Sequence, residues 1–285
     1  MPFLADGSRL HLNHGPIDVV LEAWGEPGEV AKAYAQVEAM FPDILPRLAR
    51  ELPILRSGDP ARWETLEGPV ARRMAQACRK FPGIFVTPMA SVAGAVADHL
   101  RDVFVAGRDL TKAYVNDGGD IALHLTPGQT LVCGVVADIA APALDASIHL
   151  QAGQGIGGIA TSGRATKGQG GRSFSLGIAD AVTVLAADAA TADAAATLIA
   201  NAVDLPGHAA ISRVPAVELD PDSDLGARPV TVAVGTLSPA ETALALDNGL
   251  ALAEQFRARG TIVGAFLALN GERRVCGEAR AALAA

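Results

Sequence analysis

Apolar positions along the chain recur with the spacing of helices in some segments and of strands in others. Between Val30 and Met40 they lie three or four residues apart, which predicts a helix over 29–41 that Pro42 ends. Met89 to Val105 has small and apolar residues on one side and charged residues, including Asp98, on the other. Further helices are expected at about 43–52, 70–81, 189–203 and 239–259, the last with Ser238 as its N-cap.

Alternating and continuously apolar segments predict strands. The first residues suggest a hairpin over 9–23 with a turn at Gly15-Pro16, and Asn270-Gly271 indicates a type I′ turn. Segment 151–171 reads as a glycine-rich loop, and 204–228 as irregular and acidic. Because helices and strands do not alternate strictly, the pattern predicts an α+β fold with mixed or antiparallel sheets. The remaining strands are expected at 112–115, 121–125, 130–136, 146–150, 181–186, 230–234, 261–269 and 273–276.

Composition narrows the function classes. The 285 residues are 50% hydrophobic and only 4% aromatic, so the core must be largely aliphatic. A net charge of −8 argues against nucleic-acid binding, which depends on Lys and Arg neutralising phosphates. No signal peptide and no uninterrupted apolar segment of membrane-spanning length is apparent, so a cytoplasmic protein is expected. Three scattered cysteines favour a reducing compartment, and the low charged fraction favours a homo-oligomer.

Common catalytic signatures are missing from the sequence. Gly153 to Gly158 contains G-x-G-x-x-G, but glycines continue where a dinucleotide-binding fold needs a helix. There is no Walker A pattern, no G-x-S-x-G and no H-E-x-x-H, and the six histidines do not cluster. No catalytic histidine is therefore assigned.

Asp193 and Thr197 are candidate metal ligands. On a helix, positions i and i+4 share a face, so a carboxylate and a hydroxyl there offer two hard oxygen ligands of the kind Mg²⁺ takes. The alternative is structural: Asp193 would stabilise the helix start through the helix dipole, and Thr197 would fill core space.

Two loop segments are candidate ligand sites. Asn116-Asp117-Gly118-Gly119-Asp120 would let a ligand approach the backbone closely, with Asp120 accepting from ribose or base donors, or it is an ordinary hairpin turn. Thr161-Ser162-Gly163, beside Arg164 and Lys167, would hold a pyrophosphate with backbone N–H groups and cations, or it is a surface loop.

These segments, taken in order, resemble the ApbE-like family of flavin transferases. NDGGDI (116–121), ATSG (160–163), AVTV (181–184) and ADAAAT (192–197) match that family's N-x-G-G-D-I, T-S-G, S-V-T-V and A-D-A-x-x-T. Members of the family bind FAD with Mg²⁺ and transfer FMN to a Thr of a partner protein. The resemblance is good over 89–203, plausible in the C-terminal strand–helix–strand, and looser before residue 80.

The resemblance implies an ApbE-like fold and a set of site residues. Asp193 and Thr197 would hold Mg²⁺ with the backbone carbonyl of Ala93, and Arg164, Lys167 or Arg172 would clamp the phosphates. The chain would form one unit over 1–285, with a divergent part at 1–85 and the motifs in 86–285. Contacts to FAD or FMN are expected from Asn116, Gly118, Gly119, Asp120, Thr161, Ser162, Gly163, Arg164 and Arg172.

Two family features have no counterpart in the sequence. The His-containing H-I-I-D-P-x-T-G segment is replaced by 171–180, which lacks both His and Pro, and the Lys of A-K-G-Y-A-V-D is missing near Ala93. One hypothesis is an Mg²⁺-dependent enzyme acting on a flavin nucleotide pyrophosphate, with an acceptor protein or water as nucleophile. A second is a non-catalytic flavin or nucleotide carrier, and a third is a site for a different small metabolite.

Overall fold

The computed structural model describes residues 3–135, 146–163 and 174–277 and the backbone of 283–284. Arg164, Lys167 and Arg172, the expected phosphate clamps, lie outside these residues. The chain forms two compact units, each assembled from separated segments. Unit 1 comprises Met1–Leu131, Leu150–Ala160 and Ala186–Ala194, and unit 2 comprises Val132–His149, Thr161–Leu185 and Ala195–Ala285.

Unit 1 is built on an antiparallel sheet in the order β1-β2-β3-β4-β7. One face of the sheet is apolar, with Leu10, Leu21, Ala113 and Val115 fully buried, because alternate residues of a strand face the same side. The strands are β1 (Leu10–His14), β2 (Ile17–Gly25), β3 (Leu110–Asp117), β4 (Asp120–Leu125) and the first residues of β7 (Gly158–Ser162).

The helices of unit 1 contribute the rest of its core. The α4 helix contacts both β3 and β4, and its Leu100 and Phe104 are fully buried. Pro69 occupies the first position of α3, where a missing N–H costs nothing. The helices are α1 (Pro27–Met40), α2 (Ile44–Leu55), α3 (Pro69–Cys78) and α4 (Val92–Val105), with a 3₁₀ turn at Pro88–Ser91 leading into α4.

Among the described residues, unit 2 contains three groups of strands and two helices of its own. Strands β8 and β11 pair antiparallel and are buried along their whole length, which explains their continuous apolar sequences. The α7 helix begins with a capping box in which Ser238 and Glu241 exchange hydrogen bonds, as the sequence indicated.

The strands of unit 2 fall into separate sets. The first is β8 (Ala181–Ala186), β11 (Gly264–Leu269) and β12 (Glu272–Gly277), the second β9 (Ile211–Pro215) and β10 (Pro229–Val234), and the third β5 (Thr130–Val135), β6 (Ala146–Gln151) and β13 (Leu283–Ala284). The two helices are α6 (Ala216–Leu219) and α7 (Pro239–Ala258). The α5 helix (Ala189–Ala202) begins in unit 1 and continues in unit 2.

Most predicted elements are confirmed, and four expectations are wrong. The second helix continues past Pro53 to Leu55. Strand β7 lies within the segment that was expected to be a glycine-rich loop, because its buried Ile159 pairs with Ile121 of β4. The expected irregular stretch at 204–228 holds β9 and α6. Asp98, assigned to the charged side of α4, is fully buried.

Two further sequence expectations concern turns and membranes. Asn270 and Gly271 both have positive φ, 49° and 79°, as the type I′ turn between β11 and β12 requires. Within the described residues, no helix combines the length and the apolar character needed to cross a bilayer.

Candidate functional site

The start of α5 is fixed by polar contacts within unit 1. Asp188 acts as the N-cap, and its Oδ1 accepts the N–H of Thr191 at 2.7 Å. Lys80 Nζ donates to Asp188 Oδ2 at 3.0 Å and to Thr191 Oγ1 at 2.5 Å. These contacts orient the first turn of the helix that carries the candidate metal ligands.

Asp193 and Thr197 differ from their neighbours on α5 in exposure. From Ala189 to Ala200 all the remaining residues of the helix are buried, whereas the side chains of Asp193 and Thr197 are half-buried. They are one helical turn apart and therefore share a face. Both side chains therefore keep partial access to solvent. Asp193 belongs to unit 1 and Thr197 to unit 2.

The carboxylate of Asp193 meets the first turn of α4. The N–H of Gly94 donates to Asp193 Oδ2 at 3.1 Å, and the N–H of Ala93 also bonds to this carboxyl group. Burial raises the pKa of Asp193, and these N–H groups partly offset that effect. The contact from Ala93 is made by its N–H, whereas the resemblance implied a role for its carbonyl.

Two further acids lie beside Asp193. Its carboxyl group is hydrogen-bonded to that of Asp120, a contact that requires one of the two to carry a proton. The negative charge of Asp117 also raises the pKa of Asp193. Burial, followed by repulsion from Asp120, raises the pKa of Asp117 to about 8. The structure thus brings together Asp120 and Asp193, two of the predicted residues, and adds Asp117.

The turn that carries Asp120 has a defined shape. Asn116 Oδ1 accepts the N–H of Gly119 at 2.8 Å. Gly118 and Gly119 have φ values of 62° and 109°, and a Cβ at either would meet no atom within 4 Å. Both glycines are exposed, so the backbone of the turn is accessible while Asp117 and Asp120 on either side are buried.

The Thr161–Gly163 segment belongs to unit 2. Thr161 and Ser162 are half-buried at the end of β7, and the Thr161 hydroxyl is hydrogen-bonded to that of Thr183 at 2.8 Å. Gly163 has a φ of 136°, and a Cβ there would lie 2.6 Å from the carbonyl oxygen of Asp180. Only glycine fits at this close approach between backbones.

Sequence reasoning missed the role of Asp98. Its side chain is fully buried, and its Oδ2 accepts the N–H of Ala190 at 2.9 Å. Arg101 and Arg73 lie 3.4 and 3.7 Å from its carboxylate oxygens. The sequence feature that could have indicated this role is an acid four residues after Gly94, on the helix face of small residues that allows close helix packing.

These acidic groups are suited to bind a cation, but protein acids alone would not complete its coordination. In the part of the chain that the structure describes, no Lys, Arg or His forms an ion pair with Asp117 or Asp193, and no three His, Cys, Asp or Glu side chains form a metal-binding group. Buried acids normally have a counter-charge. A Mg²⁺ ion would suit one or two carboxylates completed by a hydroxyl, water and ligand phosphates.

A separate pocket in unit 1 includes none of the predicted site residues. It has a volume of about 130 Å³ and lies among α2, α3 and α4, with Ile44, Leu48 and Val70 forming apolar walls. Arg47 and His99 also line it. Burial, followed by the nearby charge of Arg73, lowers the pKa of His99.

Comparison with known proteins decides the family. A family model described as "AbpE bacteria" matches residues 1–275. The chain belongs to this family. It is also 38% identical over 136 residues to a UPF0280 protein of Methanothrix thermoacetophila, which covers 47% of this chain and 52% of the relative. A UPF0280 protein of Methanothermobacter thermautotrophicus is 38% identical over 141 residues, or 49% of this chain and 51% of the relative. The chain thus spans about half the length of the curated relatives it matches.

Solved structures support the fold of this AbpE family member. A point mutant of the flavin transferase ApbE from Vibrio cholerae is 14% identical, covers 96% of this chain and 99% of its own, and gives a TM-score of 0.50. The apo flavinyl transferase ApbE from Pseudomonas stutzeri is 13% identical, covers 97% of each chain, and also gives 0.50. The predicted α+β, ApbE-like fold is confirmed.

Proposed function

We propose that this protein is an Mg²⁺-dependent transferase or hydrolase that acts on a flavin nucleotide, FAD or FMN, and that breaks the pyrophosphate when the nucleotide is FAD. One observation carries the proposal: the half-buried Asp193 lies against Asp120 of the glycine turn and the N–H of Gly94, in a chain of the AbpE family. A flavin nucleotide is the substrate class suggested by the flavin transferases that share the fold.

The proposed metal ligands are Asp193 and Thr197, with the Ala93 backbone as a third candidate. Magnesium, when bound, would neutralise charge on the pyrophosphate oxygens. In the absence of the metal, Asp120 would share its proton with Asp193. This sharing would end when the metal binds, because the ionised Asp193 is the form that binds a cation. The exposed backbone of Gly118 and Gly119 would lie along the nucleotide, beside Asn116.

The remaining predicted residues would position the phosphates. Backbone N–H groups of Thr161, Ser162 and Gly163 would face the pyrophosphate, and Arg164 and Arg172 would supply cations. In the reaction, a hydroxyl oxygen of an acceptor protein, or of water, would bond to the FMN phosphorus. The bond from that phosphorus to the bridging oxygen would break, releasing AMP and the hydroxyl proton.

The first test measures AMP release. The protein is incubated with FAD and Mg²⁺, and the nucleotides are separated and identified by mass spectrometry. We expect AMP and FMN in equal amounts with the wild type, none with EDTA, and a fall of at least about 100-fold for Asp193→Asn. Asp188→Asn is the matched control, because it removes an acid from the same helix yet keeps a capping side chain.

A second candidate is a flavin or nucleotide carrier without transfer activity. It is favoured by the lack of His and Pro in 171–180 and of the family Lys beside Ala93. Calorimetric titration with FAD and Mg²⁺ distinguishes the candidates. Saturable binding with unchanged FAD would support the carrier. No binding at millimolar FAD would contradict both candidate functions and would favour a different metabolite as the ligand.

A further inference from the structure

Helices α4 and α5 cap each other's N-termini. Asp193 on α5 accepts the N–H of Gly94 on α4, and Asp98 on α4 accepts the N–H of Ala190 on α5. The preceding residues repeat the pattern, since Ala93 also bonds to Asp193 and Ala189 to Asp98. Asp98 lies four and five residues after the N–H groups of α4 that Asp193 binds. Asp193 lies three and four residues after the N–H groups of α5 that Asp98 binds. The two contacts form one reciprocal arrangement within unit 1.

The two helices touch closely where the caps meet. A Cβ on Gly94 would lie 2.3 Å from the carbonyl oxygen of Ala189 and 2.9 Å from the Cα of Ala190. Gly94 therefore permits backbone contact at the point where the N–H groups of one helix reach the acid of the other. At this distance the position of α5 cannot shift without breaking one or both caps.

Asp98 is held more firmly than Asp193. It has no exposed surface, and it is flanked by Arg73 and Arg101 as well as by the N-terminus of α5. Asp193 is half-buried and faces the acids of the glycine turn. A fully buried acid bound to a helix N-terminus is suited to fix geometry, and a half-buried acid with acidic neighbours is suited to bind a ligand.

We propose that Asp98 is the positioning residue for Asp193: by holding the first turn of α5, it sets the orientation in which Asp193 meets the N-terminus of α4. Asp98 would touch neither metal nor nucleotide. Its effect on Mg²⁺ rests on the proposed function, but its effect on the helices does not.

The test compares Asp98→Asn with Asp102→Asn by amide hydrogen exchange in the full chain. Asp102 is the matched control, because it pairs with the same Arg73 and Arg101 but, among the described residues, makes no hydrogen bond or ion pair with α5. An Asn side chain at position 98 has a single acceptor oxygen, whereas the Asp98 carboxylate binds two N–H groups with two oxygens available. We expect exchange to rise on the order of fivefold at Ala189 and Ala190, and also at Ala93 and Gly94, whose N–H groups bind Asp193 and not the Asp98 side chain.

Three results would overturn the proposal. Unchanged exchange at Ala93 and Gly94 would show that the caps are independent. Equal changes in Asp102→Asn would assign the effect to the arginines. A uniform rise that includes Leu21 and Val115 of the sheet would indicate only lower global stability. If Asp98→Asn does not fold, Asp193→Asn tests the reverse direction, and faster exchange at Ala189 and Ala190 is then required.

Calorimetric titration with Mg²⁺ alone separates this proposal from the proposed function. We expect Asp98→Asn to weaken Mg²⁺ binding about tenfold and Asp102→Asn to leave it unchanged. If the wild type binds no Mg²⁺, the proposed function fails while the exchange result still decides the role of Asp98. If the wild type binds and Asp98→Asn binds equally well, the positioning role is wrong.

Discussion

Single side chains define the shape of the candidate site more than the elements around them do. Asn116 is the clearest case, because its Oδ1 closes the turn onto the N–H of Gly119 and so fixes the backbone between Asp117 and Asp120. The two glycines take φ values that most residues avoid. The orientation of Asp120 toward Asp193 therefore depends on a residue that need not touch any ligand.

Replacing Asn116 with Ala is expected to destabilise the protein by about 1 kcal/mol, the typical value of one such hydrogen bond. It should also speed amide exchange at Gly119. Asn13→Ala is the matched control, because among the described residues the Asn13 amide makes only a long 3.4 Å contact with the Ile17 carbonyl. Urea unfolding of both variants measures the difference, and equal losses would show that the Asn116 bond contributes nothing specific.

At this scale the sequence revealed the residue types but not their surroundings. Asp120, Asp193 and Thr197 could be selected from motif and spacing, and two of them prove half-buried on one helix face. That Asp117 is buried could not be foreseen, because an acid beside a Gly-Gly turn normally faces water. Burial of an acid depends on segments distant in sequence, and spacing carries no information about them.

The α4 helix illustrates what sequence patterns can and cannot predict about an element. Its position, small first turn and apolar side were predictable from residues 89–105. Asp98 was assigned to the solvent side because a helical pattern treats an acid as polar surface. In the structure its carboxylate accepts an N–H from the N-terminus of α5 and lies beside Arg101, so the same position belongs to the core.

Gly94→Ala tests the helix contact directly. In an isolated helix Ala is favoured over Gly by about 1 kcal/mol, so local propensity alone predicts greater stability. Here the new Cβ would meet backbone 2.3 Å away, which cannot yield as a flexible side chain can. We expect a net loss of roughly 1–3 kcal/mol, measured as a lower urea midpoint. A raised midpoint would mean that the helices are not in close contact in solution.

At the scale of the whole molecule, the chain order does not follow the compact units. Unit 1 takes its residues from three separate segments, and its sheet combines β1 and β2 with β3 and β4 from beyond residue 109. The resemblance implied one unit over 1–285, and the sequence could not assign segments to compact units, because strand pairing across about 90 residues leaves no local pattern. The weak family resemblance of 1–85 concealed that this part completes unit 1.

The fragment 86–285 is therefore expected not to fold in its first half, although it contains all four of the matched family motifs. Removing 1–85 deletes β2, which pairs with β3 from Val19–Asp117 to Gly25–Leu110, and also Tyr34 and Val37, which are buried in the core. The exposed edge of β3 would then be an aggregation site. Circular dichroism and amide exchange of the fragment measure the loss, with the full chain as reference. Protection of the amides of Ala113 and Val115 at full-chain levels would contradict this expectation and identify 86–285 as a self-sufficient folding unit.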